Sequence, residues 1–213
     1  MSPGNANLAY LATNTDGSNS FAVVIRGTVG NMPDLLEDLD VGTVVPLNLV
    51  GMPSPVPVSK GAMKAFTEVV TTNTAGVTLA QALTTALSQA QPNPTVHVTG
   101  HSLGGCIATM VAPYLQTLAW PNGKANFELR TFAAPTAGGA DFAAYVDSLE
   151  WQANERHYNI NEMVPQAWTT SRRPSSGTPT RARRRTPTSM PSSRRLSASP
   201  VPTSTSIRAR TTR

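Results

Sequence analysis

The chain has 213 residues, 39% of them hydrophobic and 14% charged, which is enough apolar material for one domain with a sizeable core. Its formal charge of +5 is unevenly placed: residues 1–170 carry six Lys and Arg against twelve acids, whereas residues 171–213 carry eleven Arg and no acid, so the core is not expected to bind nucleic acid. One cysteine, Cys106, excludes an intrachain disulfide; no apolar stretch is long enough to span a bilayer, and residues 1–10 lack the basic start and apolar centre of a secretory leader, so a soluble chain without a leader is expected.

Residues 8–13 and 21–26 are β-rich runs separated by a cluster of turn formers, which predicts an antiparallel hairpin. The second run is continuously apolar, as suits a strand buried on both faces. It ends in Arg26-Gly27-Thr28, where Thr28 is either a donor for an oxyanion or an ordinary strand-end turn residue. Residues 31–40 combine an early Pro and acids with the stripe Leu35, Leu36 and Leu39, and read as a helix that serves as a lid or packs on the core. Residues 41–58, punctuated by four prolines, are expected to be extended and irregular, lining an apolar groove or forming an edge connection.

Residues 59–71 and 78–91 have helical periodicity, with Ser59 and Thr78 as N-caps. The strand at residues 95–99 then runs into Gly100-His101-Ser102-Leu103-Gly104-Gly105, followed by a helix over 104–120 in which Pro113 predicts a kink or break near Met110. This is a nucleophile-elbow pattern: a serine at a tight strand-to-helix turn presents its Oγ above the sheet edge, and flanking glycines avoid clashes with adjacent backbone. The Leu103 N–H, at the start of the helix, is placed to meet a developing oxyanion. His97 reads as a satisfied sheet-face histidine, His101 as a residue pointing away from Ser102, and Cys106 as a small buried hydrophobe.

A strand over 127–133, a loop over 134–139, a helix over 141–151 and a short strand over 156–160 complete the pattern. Glu162 lies just past that last strand, where the acid of a Ser, acid, His series belongs. From residue 171 onward Ser, Thr, Pro and Arg dominate, so a disordered tail is expected, separate from a core over 1–170. Its composition also matches out-of-frame translation of a GC-rich gene.

Four motifs, Val-Ile-Arg-Gly-Thr (24–28), Thr-Gly-His-Ser-Leu-Gly-Gly (99–105), Thr-Phe-Ala-Ala-Pro-Thr-Ala-Gly (131–138) and Asn-Ile-Asn-Glu-Met-Val-Pro (159–165), together resemble the class 3, fungal lipase-like family of α/β-hydrolases. The resemblance implies an α/β fold, with a mostly parallel sheet, helices on both faces and truncation at the C-terminal end. It also implies a carboxylic-ester hydrolase working through an acyl-enzyme on an ester or lipid substrate at a lipid–water interface. By resemblance Ser102 is the nucleophile, Thr28 and Leu103 supply the oxyanion donors, Glu162 stands where the family has aspartate, and Leu35, Leu36 and Pro135 are candidate substrate contacts. No cofactor or metal is implied. The departure from the family is histidine: His97, His101 and His157 all precede Glu162, and no residue matches the family's general base, so impaired turnover is expected. The alternative from another class is a non-catalytic binding module with a polyanion-binding basic tail.

Overall fold

The computed structural model describes residues 8–27, 40, 42–72, 76–121, 123–162 and 164–166. Residues 31–39 with Leu35 and Leu36, the oxyanion candidate Thr28, and the tail from residue 171 lie outside the described residues. Strands β1 (Ala9–Thr13), β2 (Ser20–Ile25), β5 (Thr95–His101), β6 (Asn126–Phe132) and β7 (Ala153–His157) form one sheet in the order β1-β2-β5-β6-β7. Only the β1–β2 pair is antiparallel; the other three pairs are parallel. The expected hairpin is therefore present, with the Asp16 carboxylate accepting from the Ser18 N–H at 2.7 Å within its turn.

The region expected to be irregular instead contains a small antiparallel ribbon of β3 (Val44–Leu47) and β4 (Val56–Ser59). Pro46 and Pro57 face each other in its register, a placement open to residues without an N–H because two strands leave both outer edges unpaired within the ribbon. Ser59 then caps α1 (Lys60–Thr71), accepting from the Ala62 N–H. Helix α2 (Leu79–Ser88) opens on a full capping box, in which Thr78 and Gln81 satisfy each other's backbone donors. Its buried stripe of Leu79, Leu83 and Leu87 recurs at four-residue spacing.

Helix α3 (Leu103–Gln116) follows β5 and contacts β2, β5 and β6. Of the kink or break expected near Met110, the break is absent: the helix is continuous through Pro113, and Met110, Val111, Ala112 and Leu115 are all fully buried around the proline, a burial that outweighs the lost hydrogen bond. Helix α4 (Ala140–Ser148) is shorter than expected, and Trp151 Nε1 donates to the Val146 carbonyl to close its end. Strand β7 begins three residues earlier than the sequence suggested. Its register sets Glu155 beside Arg130, and the ion pair between them at 3.1 Å holds in a strand a polar run that has no apolar alternation.

Strand β2 corrects the expectation of burial on both faces. Phe21, Val23 and Ile25 are buried, while Ser20, Ala22 and Val24 are only partly so. The buried set shares its face with Val96, Val98, Phe127 and Leu129, because the registers align Val23 with Val98 and Val98 with Leu129. The three crossovers all progress in one direction along the sheet, so right-handed connections set their helices on that face. Helices against the second face are not among the described residues. That face carries a cross-strand series: His97 Nδ1 lies 2.9 Å from Glu128, which also pairs with Arg130, and Arg130 and His157 each reach Glu155 at 3.1 Å. His97 is thus a sheet-face histidine, as expected.

Replacing Thr78 with Ala removes one side of the capping box and is expected to lower unfolding free energy by about 1 kcal/mol, read as a shifted urea midpoint at unchanged m-value.

Candidate active site

The elbow rests on close backbone approach between β5 and α3. A Cβ at Gly100 would sit 2.3 Å from the Gly104 carbonyl oxygen, and one at Gly104 would sit 2.3 Å from that of Ile25 in β2. No side chain fits either gap, so glycine at both positions is what lets the helix start directly over the strand end. Ser102 takes up the turn with φ 56° and ψ −128°, a left-handed backbone that costs a non-glycine residue about 1–3 kcal/mol. Two hydrogen bonds hold it there: its N–H donates to Phe132 O at 2.9 Å, and its carbonyl accepts from the Cys106 N–H at 3.1 Å.

Leu103 is the first residue of α3, so its N–H has no carbonyl within the helix to meet. The turn after β2 lies alongside: a Cβ at Gly27 would approach the His101 carbonyl oxygen to 2.7 Å. Thr28 is the next residue in the chain and falls among the undescribed ones. Pro135 is buried in the loop that leaves β6.

Glu162 is exposed, in a turn where its N–H donates to Asn159 O at 3.0 Å and the Asn161 N–H donates to Asn159 Oδ1 at 3.0 Å. It stands five residues beyond the end of β7 rather than just past it, because the strand is shifted toward the N-terminus. The loop bearing it is tied down by a residue the sequence reading did not single out. Arg156 Nη2 donates to Ala134 O at 2.8 Å and to Pro165 O at 2.7 Å, and its guanidinium lies 5.1 Å over the Tyr158 ring. One cation thereby joins the loop after β6 to the segment after β7. A lone Arg in a polar strand gives no sequence signal for this, since both acceptors are backbone.

The three histidines are held elsewhere. His97 is mid-strand on Glu128, His101 is exposed at the end of β5, and His157 stacks on Phe132 with ring centroids 5.1 Å apart while bonding Glu155. Among the described residues no histidine nitrogen is hydrogen-bonded to Ser102 or to Glu162. His157, Arg130 and their charges hold the Glu155 carboxyl below the usual carboxylate range, with the hydrogen bond from His157 the largest cause. Cys106, one turn after Ser102, is fully buried, and that burial pushes its thiol up to about 12 against the opposing pull of Arg156. At neutral pH it is an inert thiol, the hydrophobe expected from sequence.

The profile of the lipase (class 3) family matches residues 22–171, a span that holds the elbow, both strand-end loops and Glu162. This chain belongs to the lipase (class 3) family. A secreted mono- and diacylglycerol lipase of Fusarium solani is 30% identical over 138 residues, covering 65% of this chain and 36% of that protein. A solved triacylglycerol lipase, whose catalytic centre is described as a serine protease triad, is 29% identical with a TM-score of 0.58, covering 76% of this chain and 56% of its own. A triacylglycerol lipase from Penicillium expansum shares the fold, with a TM-score of 0.62 at 21% identity over 76% of this chain and 58% of that one. The chain therefore spans about a third of the length of the curated relative and just over half of each of these structures. Its mostly parallel sheet with helices is the α/β-hydrolase lipase fold.

Two outcomes follow from this packing. Gly104→Ala places a methyl group against the backbone of β2, and the expected result is loss of cooperative unfolding by circular dichroism or a loss above about 3 kcal/mol in a denaturant titration. Cys106 should resist iodoacetamide in the native protein at pH 8 and react once urea unfolds it. Because its folded value lies above the ordinary 9.0, the unfolded thiol ionises first, so the stability it contributes is intact below about pH 9 and declines from there toward about 12, a slope that Cys106→Ala should reduce.

Proposed function

We propose that this chain carries the nucleophile half of a serine ester hydrolase acting on lipid esters through an acyl-enzyme, with residues 1–170 as its core and residues 171–213 as an appended Arg-rich segment. The observation that supports it most is the backbone of Ser102: a positive φ at a turn between a parallel strand and a helix, held although it costs energy. The relatives add to this, since one is named for mono- and diacylglycerols and others for triacylglycerols.

In this reading Ser102 Oγ attacks the ester carbonyl carbon and the C=O electrons move onto oxygen. The Leu103 and Thr28 N–H groups hold that oxyanion, after which the alcohol leaves and water hydrolyses the acyl-serine. Glu162 would orient an imidazole that accepts the serine proton and then delivers it to the leaving alcohol. Leu35, Leu36 and Pro135 would contact the acyl chain. No histidine follows Glu162 in this sequence, so serine lacks its base and the chain as it stands should turn over about 10⁴- to 10⁶-fold below a complete triad.

Added imidazole supplies the missing proton acceptor. Hydrolysis of p-nitrophenyl butyrate by the full chain should rise with imidazole beyond the reagent's own background, and Ser102→Ala should abolish the increment. An increment that survives Ser102→Ala removes Ser102 as nucleophile. Fast turnover without imidazole, lost in one of His97→Ala, His101→Ala or His157→Ala, would instead identify an internal base and overturn the impairment.

A further inference from the structure

A cavity of about 500 Å³ lies at the strand-start end of the sheet, around the beginning of β6 and the residues just before β7. Ser102 is at the other end of seven-residue β5, on the order of 20 Å away, so this cavity is separate from the ester site. Its volume is in the range of small-molecule sites. Among the described residues three buried side-chain polar atoms lack any hydrogen-bond partner, and two of them, Gln116 Nε2 and Trp120 Nε1, belong to residues that line this one cavity. Both are donors, and a buried donor left unpaired costs about 1–3 kcal/mol, so the wall is short of acceptor oxygens.

The rest of the lining sets the chemistry of what could supply them. Trp120, tilted against Phe127 at 6.4 Å, and Trp151, whose Nε1 is already committed to Val146 O, offer indole surface. Lys124 and Glu150 at the rim pair with each other, so the cavity presents no uncompensated charge to an ionic ligand. Gln152 adds a side-chain amide whose Oε1 accepts from Thr95 Oγ1 at 3.4 Å and whose NH2 group can donate. Aromatic surface beside neutral amides and spare donors, without net charge, matches a molecule with apolar C–H faces and hydroxyl edges. It fits neither a fatty acid, which needs a cation for its carboxylate, nor a purely apolar guest, which would leave both donors unpaired.

We infer that this cavity binds a neutral pyranose sugar, its ring against the Trp151 indole and its oxygens accepting from Gln116 Nε2 and from the in-plane Nε1–H at the edge of Trp120. Both donor atoms are closed to solvent, so binding requires the Gln116 and Trp120 side chains to turn toward the sugar. Such a site would tether the chain to glycosylated or polysaccharide-bearing material independently of ester chemistry.

Cellobiose and N,N′-diacetylchitobiose are the probes, titrated against the full chain with tryptophan fluorescence and saturation-transfer NMR as readouts. The expected result is saturable, millimolar binding by at least one, retained in Ser102→Ala. Trp120→Phe, which keeps an aromatic ring but removes the N–H, should weaken it about five-fold. Exposed Gln152→Ala, which leaves the core intact, should weaken it two-fold or more. Absence of saturation by both sugars, as for a cavity holding only water, overturns the inference. So does binding that both cavity variants leave unchanged, or binding lost in Ser102→Ala. None of these results depends on esterase turnover, so the site can fail while the hydrolase reading stands, and the reverse.

Discussion

The constraint on which this structure depends is the missing side chain at the crossing of β5, β2 and α3. At Gly100 and Gly104 the helix backbone meets strand backbone at distances no Cβ could tolerate, and this contact sets where α3 begins. Because α3 begins there, Ser102 must reverse the chain within one residue and adopts a left-handed conformation. The energy for that strain comes from the helix that follows, which buries Cys106, Ile107, Met110, Val111 and Leu115 against the sheet. The elbow is therefore a consequence of helix-on-sheet packing, and its serine stays half-buried at the turn.

A second tier of contacts organises the strand ends around the elbow. Phe132 O receives the Ser102 N–H, and His157 O receives the Ala133 N–H, so the exits of β5, β6 and β7 are linked in series by main-chain bonds. Arg156 extends the series to the segment that carries Glu162. The acid and the serine are thus placed relative to one another by backbone and one guanidinium, not by a direct contact between their side chains. Among the described residues the chain's three imidazoles are engaged elsewhere or exposed, and none bonds to either group.

The two faces of the sheet divide the molecule. One is sealed by helices and supplies the core. The other displays Glu128, Arg130 and Glu155, bracketed by His97 and His157, in a network of partly exposed ion pairs. Such exposed pairs add little stability individually, but they favour the register seen between β6 and β7, since a slip of one residue would bring Arg130 out of reach of Glu155. Charges along β7 also blunt the edge it presents among the described strands.

Local chemistry made much of this legible beforehand. Turn formers between β-rich runs gave the hairpin, Ser59 and Thr78 marked their helices by side-chain capping, and the glycine spacing around Ser102 specified a turn that only backbone-on-backbone packing explains. Where the pattern misled, the deciding partner was distant in sequence. The apolar run of β2 does not reveal that one face is partly open, Pro113 does not reveal the core that carries α3 past it, and Glu155 of β7 finds its partner in Arg130, 25 residues away. Residue types and spacings determined the elbow, the caps and the order of candidate groups, because those depend on interactions within a few residues. Tertiary structure alone decided which strand faces are buried, which charges pair and how Arg156 ties the segment after β7 to the loop after β6, because these rest on backbone and side-chain partners that sequence proximity does not encode.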